Sequence, residues 1–213
     1  LKRDALMCGV PYGEIDVDRL LHALVVVDDP HVGHATIGVL EKALSALESL
    51  LFAKYQMYRN VYWHHAVRSP TAMYKRMVDD ALRAGALQAT ELVGHTDEGL
   101  LHAMRQRSPS ALLEAILSRR LYKRAMECPA AELDGIDLEW IAEDRERSRR
   151  AEDAIAGHLG LMPGEVLIDY PQKEQMLGLD IPVLTRDGRV ERLTSEGMAG
   201  AINLPVLADQ LYR

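Results

Sequence analysis

The sequence predicts a mainly α protein with a small C-terminal region of mixed α and β structure. Apolar residues recur every three or four positions over most of the first 160 residues, which is the period of amphipathic helices. After Gly160, short β-branched runs and an Asp-Gly turn replace this pattern, as is typical of strands. We therefore expect a helical domain over 1–160, with a short β-hairpin near 24–37, and a small α+β subdomain over 161–213.

Composition limits the functions that this chain can have. Its 213 residues are 48% hydrophobic and 27% charged, which is typical of a soluble globular protein. The formal net charge of -7 argues against a nucleic-acid partner. No apolar run is long enough to span a membrane, so we expect no membrane partner. Cys8 and Cys128 form no CxxC pair, which predicts a reducing, cytoplasmic setting.

The N-terminal elements are short. Residues 1–7 resemble the middle of a helix, so we expect further chain before Leu1. Gly9 is a suitable residue to end that helix, and Asp16 or Asp18 can begin a second one. The run 24–27 and a second strand near 34–37 then predict the hairpin.

Longer helices are predicted in the central part of the chain. Apolar and aromatic residues spaced by three and four predict one helix of about 28 residues over 38–65. Pro70 should break or kink it before a helix over 71–83. Ser108 is predicted to cap a helix over 110–118.

The remaining elements follow from the same rules. Strong charge over 145–150 predicts a solvated helix face. We also expect helices over 98–105, 138–159 and 204–212, strands over 119–127, 166–168 and 181–184, and a turn over 194–197.

One segment has the composition of a nucleotide-binding surface. On a regular helix, Lys54, Tyr58, Tyr62 and His65 share one face, at steps of four, four and three residues. A cation can neutralise phosphate, and an aromatic ring can stack on a base. The alternative is an amphipathic helix whose aromatic side chains fill a core.

The sequence predicts no metal ligands and no catalytic residues in this chain. Adjacent residues on a helix point about 100° apart, so His64 and His65 cannot easily bind one ion together. No His-Asp dipeptide and no HExxH motif occurs. Asp4 follows Arg3, and from the residues alone their pairing can equally be a surface ion pair.

Several segments resemble one enzyme family, the HD-domain deoxynucleoside triphosphate triphosphohydrolases. The resemblance implies an HD-domain-like helical body and hydrolysis of dNTPs to deoxynucleoside and triphosphate. It rests on residues 3–10, 53–65, 73–85, 166–169 and 204–212.

The resemblance also implies roles for individual residues in substrate binding. Asp4 matches the family's acidic residue that contacts the sugar 3′-hydroxyl. Lys54 stands where the family often has a phosphate-binding arginine, and Tyr62 matches the tyrosine that packs on sugar and base. Trp63 replaces a glutamine of the human member, so it departs from the family pattern at the base.

The family holds its divalent metal ion with a His, a His-Asp pair and a later Asp, which would all lie upstream of Leu1. The resemblance therefore implies that these 213 residues alone are inactive and need the remainder of the HD domain. It also implies a homo-oligomer with nucleotide effectors, for which Arg19 and Lys42 match basic positions, whereas Leu40 replaces a third. The alternative is a non-catalytic binding or oligomerisation module.

Overall fold

The computed structural model describes residues 1–133, 135–171 and 180–193. The predicted turn over 194–197 and the predicted helix over 204–212 lie outside these residues. The described chain forms two compact units: unit 1 contains 1–62, 129–133 and 180–193, and unit 2 contains 63–128 and 135–171. The predicted boundary after residue 160 stays a prediction.

The fold class is confirmed in its coarse form, since helices and a small four-stranded sheet make up the structure. An HD-like arrangement of the helices stays a prediction.

Unit 1 begins with two short helices. Helix α1 spans Lys2–Cys8 and ends at Gly9, whose φ of 66° is in the left-handed region. Helix α2 spans Val17–Leu21, and the Asp16 carboxylate caps it by accepting a hydrogen bond from the Arg19 amide. Both helices were predicted.

The sheet of unit 1 joins the predicted hairpin to residues near the other end of the chain. Strands β1 (Leu24–Asp29) and β2 (His34–Leu40) form the hairpin. Strand β3 (Pro182–Leu184) lies parallel to β2, and β4 (Val190–Arg192) returns antiparallel to β3. The strand order is β1-β2-β3-β4, so two segments distant in sequence complete one sheet.

The prediction that a helix begins at Gly38 is wrong, because Gly38 lies inside β2. A Cβ atom there would lie 2.7 Å from the Pro182 carbonyl oxygen, so the close approach of β3 requires glycine. The apolar residues after Gly38 leave the sheet instead through a 3₁₀ turn at Glu41–Ala43. Helix α3 then covers Leu44–Met57 and packs on the sheet through Leu47 and Leu51.

The predicted 28-residue helix is also interrupted at its other end. A π-helical turn spans Tyr58–Tyr62, and His64 then adopts an extended conformation with ψ of 137°. The His64 ring nitrogen caps helix α4, which spans His65–Arg83. Helix α4 continues through Pro70, so the predicted break is two turns too late and lies at residues 63–64 instead.

Unit 2 contains the remaining helices. Helices α5 (Asp97–Arg107) and α6 (Ala111–Leu117) confirm two predictions, although the cap of α6 is Ser110 and not Ser108. The predicted helix over 138–159 is divided into α7 (Trp140–Glu143) and α8 (Arg145–His158), because the Asp144 side chain caps α8.

Two predicted strands of unit 2 are wrong. Residues 119–127 have no regular structure, and the Tyr122 carbonyl accepts a hydrogen bond from the Ser69 hydroxyl at 2.5 Å. Residues 166–168 are also irregular, and the Ile168 amide donates to Glu152 at 3.1 Å. In both segments, a side chain from a helix forms the hydrogen bond with a backbone group that a neighbouring strand would form in a sheet.

A buried cation connects α4 and α8 within unit 2. The guanidinium of Arg76, which is 2% exposed, donates to Glu152 at 2.8 Å and to Asp153 at 2.7 Å. It also donates to Asp80 at 3.0 Å. Burial lowers the pKa of Arg76, but these carboxylates outweigh burial and raise it. The prediction of a solvated face over 145–150 holds for the exposed Arg147 and Arg150. It is wrong for Arg145 and Arg149, which pair with this acidic group.

We predict that Arg76→Leu lowers the free energy of unfolding by about 3–5 kcal/mol, because it leaves the buried Glu152 carboxylate without its cation. Chemical denaturation followed by circular dichroism measures this loss. The matched control is Arg83→Leu, whose pairs with Asp79 and Glu146 are more exposed, and whose loss should cost about 1 kcal/mol or less. Equal losses in both variants would contradict the assignment of Arg76 as the central cation of unit 2.

Candidate functional site

The candidate site of unit 1 is formed by α1 and the π turn. The Tyr62 hydroxyl donates a hydrogen bond to Oδ2 of Asp4 over 2.6 Å. Fifty-eight positions separate these residues in the chain, so the contact is a product of the fold. Both were predicted to bind substrate, and the structure brings them together.

Apolar packing beneath this bond positions the two elements. Ala5 of α1 and Met57 and Val61 of the α3–π segment are buried against each other. The loop at Gly13 packs closely against Ala5, because a Cβ atom on Gly13 would lie 2.7 Å from Cβ of Ala5. The φ of Gly13, 103°, is also in the region that favours glycine. Asp4 and Tyr62 therefore lie at the rim of a small core.

Asp4 is held as a carboxylate. Its Oδ1 atom lies 2.7 Å from Nη2 of Arg3, while Oδ2 accepts from Tyr62. The hydrogen bond from Tyr62, followed by that from Arg3, lowers the pKa of Asp4. An ionised carboxylate has further lone pairs, so Asp4 can still accept a hydrogen bond from a ligand hydroxyl. The surface ion pair that was the alternative prediction exists beside the Tyr62 bond.

Tyr62 is held in its neutral, hydrogen-bond-donating form. Burial, together with the hydrogen bond to the Asp4 carboxylate, raises the pKa of Tyr62 to about 12. At neutral pH the phenol is therefore protonated, and its O–H group donates a hydrogen bond to Asp4. The ring of Tyr62 is half-buried, which leaves part of it accessible to a ligand.

A row of side chains extends from Tyr62 along the helix. The ring of Tyr58 meets that of Tyr62 edge-to-face, with centroids 5.0 Å apart. Nζ of Lys54 lies 5.9 Å from the centroid of the Tyr58 ring. This row places the Lys54 cation two helical turns from Tyr62, whose hydroxyl contacts the Asp4 carboxylate, with the Tyr58 ring in between. Such an arrangement suits a ligand with a hydroxyl at one end and phosphate at the other.

Two residues that were predicted for this surface, Trp63 and His65, do not belong to the helical segment that carries Lys54, Tyr58 and Tyr62. Trp63, half-buried, follows Tyr62 but belongs to unit 2. His65 is the first residue of α4, after the extended His64, so the regular helix that would align it with Tyr62 does not exist. The prediction that His65 shares the face of Lys54, Tyr58 and Tyr62 on one helix is therefore wrong.

The two predicted effector residues are neighbours in unit 1. Nη2 of Arg19 donates to the Lys42 carbonyl oxygen over 2.9 Å, and both residues are exposed. Leu40 lies two residues before Lys42, at the end of β2. Their role with an effector stays a prediction.

Neither metal ligands nor a membrane span can be assigned within residues 1–133, 135–171 and 180–193. There, no group of three or more His, Cys, Asp or Glu side chains has a geometry that could hold an ion. In the same residues, none of the helices combines the length and apolar character needed to cross a bilayer.

Two features of the site escaped sequence reasoning. The π turn contains no residue type that would reveal it in the sequence. The spacing of its aromatic residues fits a regular helix equally well. Such turns are frequent at functional sites. The close packing of Gly13 on Ala5 depends on a contact between segments, although the Pro-Tyr-Gly loop was a visible turn signal.

A comparison with known protein families matches most of the chain to one family. The family described as the HD associated region matches residues 15–197. Among curated proteins, the uncharacterised protein MJ1154 of Methanocaldococcus jannaschii is 36% identical over 141 residues, covering 66% of this chain and 30% of that protein. The uncharacterised protein YwfO of Bacillus subtilis is 32% identical over 81 residues, covering 38% of this chain and 17% of that protein. The matches thus span less than a third of these relatives.

A solved structure shares the fold of this chain. It is a phosphohydrolase from Bacteroides thetaiotaomicron, with a TM-score of 0.53 and 19% sequence identity. The match covers 97% of this chain and 56% of that structure. Nearly the whole chain therefore has a counterpart in a longer protein.

We predict that Tyr62→Phe raises the pKa of Asp4 toward its ordinary value, because it removes the largest cause of the shift. NMR titration of the Asp4 carboxyl carbon measures this change. Since the folded pKa is lowered, the bond stabilises the fold above the unfolded pKa and this stabilisation is lost as pH falls. Tyr62→Phe should therefore flatten the acid limb of the stability curve.

The control is Tyr58→Phe, which removes a hydroxyl from the same row but not the bond to Asp4. An unchanged Asp4 pKa in Tyr62→Phe, or an equal change in Tyr58→Phe, would contradict this assignment.

Proposed function

Because the chain belongs to the family of the HD associated region, we propose that it is part of an HD-domain phosphohydrolase that cleaves dNTPs to deoxynucleoside and triphosphate. The observation that carries this proposal is the row formed by Asp4, Tyr62, Tyr58 and Lys54. Its order of carboxylate, aromatic rings and cation matches the order of sugar hydroxyl, sugar ring and phosphates in a nucleotide. The fold shared with a phosphohydrolase supports the same reaction class.

Asp4 would bind the 3′-hydroxyl of the sugar. Its carboxylate is ionised and oriented by Tyr62, so a substrate hydroxyl can donate to a preformed acceptor. A hydrogen bond to a charged acceptor is also stronger than a neutral one. The half-buried ring of Tyr62 would pack on the sugar. The family resemblance assigns Trp63 to the base, but Trp63 belongs to unit 2, so its part in binding stays a prediction.

Lys54 would bind the phosphates. It is half-buried, and its ammonium lies near the Tyr58 ring. A lysine retains the charge needed to stabilise a leaving triphosphate, although it lacks the two-pronged geometry of arginine. Positioning and charge stabilisation are therefore the contributions of this chain.

The divalent metal ion that this reaction needs would be held by residues outside this chain, in the remainder of the HD domain. The part that we propose for the described residues is substrate binding. We also propose a cytoplasmic homo-oligomer in which Arg19 and Lys42 contact a nucleotide effector, since the Arg19 side chain contacts the Lys42 backbone and both residues are exposed.

Product analysis tests the reaction. The full-length protein is incubated with each dNTP and a divalent metal ion, and the products are followed by ³¹P NMR. The proposal expects inorganic triphosphate and free deoxynucleoside. Release of phosphate or pyrophosphate would contradict it. Absence of turnover with retained oligomerisation would favour a binding or oligomerisation module instead.

We predict that Lys54→Ala weakens dNTP binding by the full-length protein roughly tenfold or more, because a charged contact to phosphate is worth about 1.5–3 kcal/mol. Calorimetry with a divalent ion that binds but does not support turnover measures the affinity. Binding of the deoxynucleoside, which lacks phosphates, should be unchanged.

The matched control is Lys123→Ala, which removes the same charge from an exposed position of unit 2. If Lys54→Ala weakens dNTP and deoxynucleoside equally, or no more than Lys123→Ala does, Lys54 does not bind phosphate.

A further inference from the structure

The π turn at Tyr58–Tyr62 directs Tyr62 toward α1. Met57 and Tyr62 are five positions apart in the chain, and both pack in the small core that contains Ala5 of α1. In a regular α-helix, five residues rotate a side chain about 140° beyond a full turn, so Tyr62 would point away from that core. In a π turn, hydrogen bonds join residues five positions apart, which brings such residues onto one face. The bond from Tyr62 to Asp4 therefore depends on the π turn.

A side chain within the π turn bonds the backbone one turn earlier. Nδ2 of Asn60 donates a hydrogen bond to the Gln56 carbonyl oxygen over 2.9 Å. In a regular α-helix this carbonyl, four positions earlier, accepts from the backbone N–H group of Asn60. A side chain that bonds such a carbonyl competes with the helical ladder, and insertion of side chains into the ladder is a cause of helix irregularity. Asn60 is thus placed to favour the π turn over a regular helix.

The position and chemistry of Asn60 fit this task. Asn60 is exposed, so its side chain does not fill the core beneath the turn. It lies at the middle of the π turn, two residues before Tyr62. Asparagine is also a weak helix former, because its amide bonds nearby backbone groups in non-helical conformations. We propose that Asn60 is a positioning residue: its amide holds the π turn, and the π turn presents the Tyr62 hydroxyl to Asp4.

The preceding residue adds a second link to the same turn. Nη1 of Arg59 donates to the Tyr55 hydroxyl over 2.9 Å, again four positions earlier. Tyr55 is buried, so this link reaches a side chain that is fixed by packing. Arg59 bonds a side chain, however, whereas Asn60 bonds a carbonyl group of the helical ladder. The backbone conformation of the turn should therefore depend on Asn60 more than on Arg59.

A change at Asn60 should reach the substrate through Tyr62. Without the π turn, the Tyr62 phenol would rotate away from Asp4, and the carboxylate would lose the hydrogen bond that contributes most to its lowered pKa. The consequence for a nucleotide rests on the proposed function, in which Asp4 and Tyr62 hold the sugar in position. Asn60 itself has no contact with the nucleotide in this proposal.

The Asp4 pKa, measured by carboxyl-carbon NMR in the full-length protein, tests the role of Asn60. Asn60→Leu removes the amide at similar volume and introduces a strong helix former, so it should raise the pKa of Asp4, as Tyr62→Phe should. Asn60→Ala, which adds no large apolar side chain to the surface, should do the same. Ser49→Ala is the matched control, because the exposed Ser49 hydroxyl donates to the Ser45 carbonyl within α3, before the π turn.

A double-mutant cycle shows whether Asn60 acts through Tyr62. In the Tyr62→Phe background the bond to Asp4 is already absent, so adding Asn60→Leu should leave the Asp4 pKa unchanged. An unchanged Asp4 pKa in both single Asn60 variants would overturn the proposal, since packing alone would then fix the turn. An equal change in Ser49→Ala, or a further change in the double variant, would overturn it as well.

Calorimetry with a dNTP separates this proposal from the proposed function. Asn60→Leu and Tyr62→Phe should weaken dNTP binding by similar factors. If both variants raise the Asp4 pKa but bind the dNTP as the unaltered protein does, Asn60 still positions Tyr62, and the assignment of the substrate fails. Weaker binding in Asn60→Leu with an unchanged Asp4 pKa would instead contradict the positioning role, because Asn60 would then act on the nucleotide without Tyr62.

Discussion

The hydrogen bond from Tyr62 to Asp4 is the contact on which the candidate site depends. It joins the first helix to the π turn that ends α3, over a distance of 2.6 Å. The Ala5–Met57 packing brings the two segments together, and the bond then orients the carboxylate at the rim. Because a bond to a charged acceptor is strong and directional, it limits the positions that the Asp4 side chain can adopt. Lys54 and Tyr58 take their places relative to Asp4 from the same helix that presents Tyr62.

The parts of the fold that could be predicted are those with local causes. Gly9 ends α1 because glycine accepts a left-handed conformation, and Asp16 begins α2 because its side chain bonds a free amide. The hairpin followed from β-branched residues and turn residues. By contrast, Gly38 lies in a strand because β3, more than 140 residues later in the chain, packs against it. No local rule contains that contact, and the period of three and four continued smoothly across it.

In the candidate site, too, some features could be predicted from the sequence and others could not. Asp4, Lys54 and Tyr62 were identifiable from residue type and family resemblance, and the Tyr58 ring from its spacing. The break at Trp63–His64 was not, because neither residue is a helix breaker and Pro70 is the more obvious candidate. Charge was also misleading in unit 2. Arg145 and Arg149 resemble solvated side chains, yet the acids they accompany surround Arg76, whose burial could not be seen in the sequence.

The chain belongs to the family of the HD associated region, and the proposed function connects the candidate site with that family. In the proposed enzyme, this chain binds and orients the nucleotide while the metal-dependent chemistry belongs to residues elsewhere. The central claim is therefore that the Asp4 carboxylate recognises a sugar hydroxyl.

A binding cycle on the full-length protein tests this claim most directly. Calorimetry compares a dNTP with its 2′,3′-dideoxy analogue in the unaltered protein and in Asp4→Asn, whose amide oxygen can still accept from Tyr62. The account predicts that loss of the 3′-hydroxyl weakens binding roughly tenfold or more in the unaltered protein. In Asp4→Asn the two ligands should bind with nearly equal affinity. An equal preference for the 3′-hydroxyl in both proteins would contradict the account.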